Sequence, residues 1–270
     1  MDSGLSNRVV LVTGAAGGIG QEVVRAFRRE GAQVIAHFRS QAERAVELAR
    51  EAGPACMALG ADLADEQQVD RLFSEGEAAL GPIEILIANA GKWPPDDVPL
   101  EGMTLGQWNS TLADNLTSTF LCARAFFRGI VKYRLADPAA VFVGSTAGLM
   151  GEAGHADYAA AKAGLTYGLT RTLKNEMCRL APRGRVNVVC PGWTFTPMTR
   201  RLADDARRVR RVLQTIPLRK VGRPQDVAAA IVYLASSRLA GHLTGQILTV
   251  AGGMEGRVLY QPDEIDPAQA

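Results

Sequence analysis

The chain has 270 residues, 47% of them apolar and 21% charged, and its 30 Lys and Arg against 28 Asp and Glu leave a net charge of +2. This composition excludes a disordered or fibrous protein, and so small a net charge argues against a nucleic-acid partner. No apolar run is long enough to span a bilayer, and the first residues lack the basic and apolar regions of a signal peptide, so no membrane partner and a cytoplasmic location are expected. Cys56, Cys122, Cys178 and Cys190 lie far apart in apolar segments with no C-x-x-C pair; they read as reduced core residues, and no metal site is expected.

In chain order, short β-branched or apolar runs fall at Arg8 to Thr13, Gln33 to Phe38, Ala55 to Gly60, Glu84 to Asn89, Ala139 to Ser145, Arg185 to Cys190 and Gln246 to Val250. Helical patterns begin between them near Gly18, Gln41, Asp65, Thr104, Ala156, Thr199 and Pro224. Strands alternating with helices predict parallel βαβ units, and runs apolar on both faces, such as Ile85-Leu86-Ile87-Ala88, predict strands covered on both sides. The expected fold is α/β, a single-domain Rossmann-like doubly wound parallel sheet of seven strands with helices on both faces. No repeat or linker divides residues 1–270. Residues 193–222 read as an inserted substrate loop or lid with a basic helix, and 254–270 as a C-terminal extension whose tail, Tyr260 to Ala270, is disordered or held by a neighbouring subunit.

The first strand runs into Thr13-Gly14-Ala15-Ala16-Gly17-Gly18-Ile19-Gly20 and then directly into helix. A glycine-rich strand-to-helix turn lets backbone approach a diphosphate and aims helix N-terminal amides at it, which makes Gly14, Gly18, Ile19 and Gly20 candidate dinucleotide contacts. Glycines also serve tight turns for purely structural reasons. At the end of the second strand, where a carboxylate would bind a ribose 2′-hydroxyl, the chain has His37-Phe38-Arg39-Ser40. Arg39 and Ser40 offer a guanidinium fork and a hydroxyl to a 2′-phosphate, so NADP(H) is favoured over NAD(H). The alternative is that Arg39 is a solvated charge and His37 a strand-edge residue.

Past the fifth strand come Ser145 and Tyr158-Ala159-Ala160-Ala161-Lys162. Tyr and Lys at this spacing share a helix face, so the ammonium is expected to lower the phenol pKa toward the range of a general acid/base, with Ser145 holding the substrate oxygen. Taken singly, Tyr158 is more often a half-buried packing residue and Lys162 a solvated helix charge; their joint appearance downstream of a dinucleotide turn reverses that reading.

With these residues the chain resembles the short-chain dehydrogenase/reductase family from about Asn7 to Gly253. The Thr-Gly-x-x-x-Gly-x-Gly turn is matched by Thr13, Gly14, Gly18 and Gly20, and the Asn-Ala-Gly after strand four by Asn89-Ala90-Gly91. Asn115 matches the family's helix-four Asn, and Ser145, Tyr158 and Lys162 match the Ser and Tyr-x-x-x-Lys. Asp62-Leu63 matches the adenine-contacting pair, and Pro191-Gly192 the loop after strand six, in which Thr194 and Thr196 fall and Thr196 takes the place of a carboxamide-binding Thr.

The resemblance implies interconversion of a ketone and a secondary alcohol by hydride transfer, with Tyr158 as acid/base. It further implies that Lys162 binds the nicotinamide ribose, that Ser145 polarises the carbonyl and that Asn115 holds a water feeding a proton relay. It also implies a homo-oligomer, a tetramer or a dimer, assembled through long helices at Thr104 to Tyr133 and Ala156 to Leu180 and through the last strand. Gly17 stands where many NADP-using relatives carry a basic residue, which leaves dual cofactor use open.

Trp93, Met150, Trp193, Phe195 and Met198 lie on loops at the carboxyl ends of strands and suggest a pocket for a small apolar or aromatic carbonyl; each also reads as loop packing. Glu152, His155 and Asp157 precede Tyr158 and are candidates to meet a polar substrate group, His155 reading better as a loop residue. Arg200, Arg201, Arg207, Arg208, Arg210 and Arg211 make the inserted helix basic, either as a solvated lid or as an attraction for an acidic carrier. A 3-oxoacyl-[acyl-carrier-protein] reductase is therefore the alternative, and a non-catalytic dinucleotide-binding protein the alternative of another class.

Overall fold

A computed structural model describes residues 2–199 and 205–266. Its seven strands are β1 (Val9–Val12), β2 (Gln33–Phe38), β3 (Cys56–Gly60), β4 (Ile85–Ala88), β5 (Ala139–Val143), β6 (Arg185–Pro191) and β7 (Ile247–Val250). They form one sheet in the order β3-β2-β1-β4-β5-β6-β7, and every pairing is parallel. Side chains alternate across each strand, so Val10 and Val12 enter one core with Val23, Phe27 and Ile231, while Leu11 enters the other with Leu72 and Phe126.

The first of these cores lies under α1 (Gly18–Arg29) and α2 (Ala42–Ala52), and the second under α3 (Glu66–Leu80). Asp65 caps α3, its carboxylate accepting from the amides of Gln67 and Gln68. The two long helices expected at Thr104 to Tyr133 and Ala156 to Leu180 are each interrupted. α4 (Leu105–Leu112) passes through a π turn at Ala113–Thr117 into α5 (Ser118–Tyr133). After the single turn α6 (Ala147–Met150), α7 (Ala156–Ala163) passes through a π turn at Gly164–Leu169 into α8 (Thr170–Leu180). A widened turn strands carbonyls that hydroxyls then satisfy: Ser118 donates to the carbonyl of Asp114 at 2.9 Å, Thr119 to that of Asn115 at 3.0 Å and Thr170 to that of Leu165 at 3.0 Å.

The inserted segment contributes α9 (Ala206–Leu213), and α10 (Pro224–Ala235) returns to cover the first core before α11 (Ser237–Ala240). The helix expected from Thr199 is described only as α9; Arg200 and Arg201 lie outside the described residues. Val209, Leu213, Ile216, Val221 and Ile265 build a satellite core with Trp193, Met254 and Tyr260 packed against it, so the tail as far as Ile265 is bound to the insertion of its own chain. The Gln214 side chain donates to the Tyr260 carbonyl at 2.8 Å and the Tyr260 hydroxyl to the Pro217 carbonyl at 2.9 Å.

All four cysteines are free, and Cys122 and Cys190 are buried as expected, but Cys178 is exposed because α8 turns that position outward. No helix among the described residues is long and apolar enough to cross a membrane.

Candidate active site

A cleft of about 840 Å³ opens at the carboxyl ends of the strands, where the order reverses between β1 and β4. Its floor is the turn from β1 to α1. Gly14 takes a positive φ of 63°, which a side chain would resist. The Asn89 side chain donates to the carbonyls of Thr13 and Gly14 at 2.9 and 3.2 Å, and the Thr13 hydroxyl oxygen accepts from the amides of Asn89 and Ala90 at 3.0 and 2.9 Å. Asn89 and Ala90 thus hold the turn as well as lining the cleft. No side chain caps α1, which begins at Gly18, and Gly18, Ile19 and Gly20 line the cleft. Free amides over a glycine floor fit the diphosphate of a nicotinamide dinucleotide.

His37 is no strand-edge residue. It is 2% exposed, its Nδ1 accepts the Gly14 amide at 3.1 Å and its Nε2 pairs with the Ala61 carbonyl at 3.0 Å, which assigns the proton to Nε2. Burial pushes the imidazole down to about 4, so it is neutral at physiological pH. Beyond it, Arg39, Ser40, Asp62 and Leu63 line the cleft at the ends of β2 and β3. Arg39 is not simply solvated: its Nη1 donates to Asp114 Oδ1 at 2.6 Å and lies 4.0 Å from Asp62 Oδ1.

At the other end Ser145, Tyr158 and Lys162 line one wall, with Gly91 beside them. Lys162 is 3% exposed; its Nζ donates to the Val143 carbonyl at 2.9 Å and lies 5.7 Å from the centre of the Tyr158 ring. Burial pushes the ammonium down to about 8 and, contrary to the expected lowering, pushes the Tyr158 phenol up to about 12. Removing the phenolate from water costs more than its neighbours return: an interaction with Ser145 lowers the value, and the Glu152 carboxylate raises it further. The Ser145 hydroxyl oxygen accepts the Ala147 amide at 3.1 Å, which leaves its proton available to donate.

Asn115 lies behind this wall, fully buried in the π turn and outside the cleft lining. Its amide donates to the carbonyls of Lys92 and Thr111 at 2.9 and 3.0 Å, and its oxygen accepts the Lys92 amide at 3.1 Å. The side chain therefore anchors the strand-four loop.

Pro191, Gly192, Thr194 and Thr196 close the cleft from the β6 side. Thr196 lies so close over Gly18 that a Cβ there would meet it at 2.8 Å. The Thr199 hydroxyl ties this loop by donating to the Thr194 carbonyl at 2.6 Å.

Trp93, Met150, Trp193 and Met198 all line the cleft, but Phe195, 49% exposed, does not. Trp93 stacks on buried His155 with ring centroids 4.7 Å apart, and its indole donates to Glu152 at 3.3 Å. The His155 Nε2 bonds to the Pro94 carbonyl at 2.9 Å, so this residue builds the loop. Asp157 is turned inward, accepting from Thr111 at 2.7 Å and Gln107 at 3.2 Å, while Glu152 lines the cleft. Val212 and Met254 also line it; sequence reasoning missed them because only the satellite core brings insertion and tail to the cleft mouth. It missed Asp114 as well, whose partner lies 75 residues away.

A family model described as enoyl-(acyl carrier protein) reductase matches residues 14–255. Among curated relatives, a 3-oxoacyl-[acyl-carrier-protein] reductase of Synechocystis sp. is 35% identical over 254 residues, 93% of this chain and 98% of the relative. The FabG enzymes of Salmonella typhimurium and Escherichia coli, given the same activity, are each 36% identical over 248 residues, 92% of this chain and 97% of the relative.

Proposed function

The chain belongs to the short-chain dehydrogenase/reductase family, and we propose that it reduces the 3-oxo group of a carrier-bound acyl thioester to the 3-hydroxy group, taking NADPH in preference to NADH. The observation that carries this reading is identity of 35 to 36% with 3-oxoacyl reductases over more than nine-tenths of both chains, with Ser145, Tyr158 and Lys162 brought together on one wall. The nicotinamide, when bound, supplies the hydride to the carbonyl carbon.

Ser145 donates its hydroxyl proton as a hydrogen bond to the carbonyl oxygen, and Tyr158 transfers its phenolic proton to that oxygen as charge develops there. A phenol held near 12 remains protonated through the neutral range, as the acid of a reduction must. Lys162, one helical turn along, supplies the cation that the resulting phenolate faces. Arg39 and Ser40 are the residues to meet a 2′-phosphate, and Arg207, Arg210 and Arg211, exposed on α9, a surface to meet an acidic carrier.

A second reading, a small apolar or aromatic ketone as substrate, is favoured by Trp93, Met150, Trp193 and Met198 at the mouth. The deciding experiment follows NADPH absorbance with a carrier-bound 3-oxoacyl thioester and with free aryl ketones. A carrier substrate with the higher kcat/KM supports the first reading; the reverse order replaces it with the second.

Phe120 and Tyr167, exposed on the α5 and α7–α8 side, are the apolar surface we assign to a homo-oligomer, whereas Phe126 and Leu165 of the same helices are spent on the sheet.

A further inference from the structure

Asp114 is the one charged residue of the π turn at Ala113–Thr117, and it sits beside Asn115. Its side chain is only 15% exposed, whereas that of Arg39 is 48% exposed. The carboxylate is therefore the fixed member of the pair and the guanidinium the movable one. Arg39 Nη1 donates to Asp114 Oδ1 at 2.6 Å and faces Asp62 Oδ1 at 4.0 Å. All three residues line the cleft. Arg39 lies between two carboxylates, with Arg44 also lining the cleft, so a 2′-phosphate, itself close to doubly charged, would have to dock beside the Asp114 and Asp62 charges.

We propose that Asp114 is a cofactor-selectivity residue, whose carboxylate occupies the Arg39 guanidinium and so narrows the discrimination between a 2′-phosphate and a 2′-hydroxyl. The proposal rests on the reading of Arg39 as the phosphate partner. A phosphate must share or displace the Asp114 bond and meets two like charges in doing so. A ribose 2′-hydroxyl adds no charge and finds carboxylate acceptors already in place. The same corner thus tolerates NADH while keeping the cation that NADPH requires. Gly17, uncharged in the neighbouring turn, adds no cation from that side.

The test uses the full-length protein and two probes that differ only at the 2′ position, adenosine 2′,5′-bisphosphate and adenosine 5′-monophosphate, with Kd measured by calorimetry. Asp114→Asn preserves shape and the acceptor for Arg39 but removes the charge. It should tighten the bisphosphate about tenfold, the scale of one charge contact at a solvated surface, and leave the monophosphate within about twofold. Asp114→Ser, which withdraws the side chain from Arg39, should move the ratio in the same direction. An unchanged ratio of the two Kd values in both variants overturns the proposal. Arg39→Ala separates its failure from failure of the underlying reading: if that variant loses the bisphosphate while the Asp114 variants keep the ratio, Arg39 holds the phosphate and Asp114 plays no part. If Arg39→Ala itself leaves the ratio unchanged, the phosphate reading falls and the proposal with it.

Discussion

The Gly14 amide donates to Nδ1 of His37 at 3.1 Å, and through its other nitrogen the same imidazole reaches the Ala61 carbonyl at 3.0 Å. One neutral ring thus fixes the glycine turn, the end of β2 and the segment after β3 relative to one another. Replacing His37 with Leu frees two buried backbone groups, and affinity for NADPH is expected to fall about tenfold with kcat changed far less. Asn, whose side-chain oxygen can still accept from Gly14, should recover part of the loss. Cofactor titration against turnover at saturating cofactor checks the split.

His37 also makes stability depend on pH. Its folded value is about 4 against an ordinary 6.5, so the unfolded chain binds more protons in that window and stability rises with pH through it, levelling above. Urea unfolding at about pH 5 and about pH 7 should show this protein losing about 2 kcal/mol more on acidification than the Leu variant loses, from the pKa difference of the imidazole. Equal losses would show that the ring carries no such linkage.

Tyr158→Phe keeps the ring and removes the proton, and it is expected to lower kcat by three orders of magnitude or more, about 4 kcal/mol of barrier, with Kd for NADPH nearly unchanged. Measurable reductase activity close to the parent rate would remove Tyr158 from the chemistry.

Lys162 is held near 8 by burial, so it carries its charge below that pH and loses it above. Affinity for NADPH should be flat through neutrality and weaken as pH passes about 8, and Lys162→Met should bind weakly at every pH with the alkaline limb abolished. Binding curves across the pH range decide it.

Arg39→Asp should weaken NADPH far more than NADH, by at least about tenfold in the ratio of their KM values. Equal effects on the two cofactors would show that Arg39 does not contact the 2′ position.

Much of the fold is legible in the chain. Apolar runs such as Ile85 to Ala88 could only be strands covered on both faces, and Asp65 and Thr104 mark helix starts because each caps the amides of the turn that follows. Tyr158 and Lys162 are legible because four residues of helix put them on one face. The π turns are not, since the apolar periodicity runs through Ala113–Thr117 and Gly164–Leu169 without a break, and only hydroxyls one turn later hint that carbonyls there need partners. Burial decided three further points. It raised the Tyr158 phenol where the adjacent ammonium suggested lowering, withdrew the Asn115 amide from the cleft, and turned His37 from an edge residue into a tie between strands. Phe195 fails as a pocket residue because its own amide donates to the Gly222 carbonyl and the Thr199 hydroxyl pins Thr194, which fixes the loop with that ring outside.

The satellite core of Leu213, Ile216 and Ile265 gives the cleft two walls with separate upkeep. The nucleotide side draws its rigidity from the sheet, so a change there strains the whole molecule. The mouth, where Trp193, Val212 and Met254 meet, is supported by a handful of residues from the insertion and tail. Such a wall can be rebuilt in a few substitutions while the reducing end stays untouched, which gives one oxidoreductase scaffold a route to new substrates without refolding its engine.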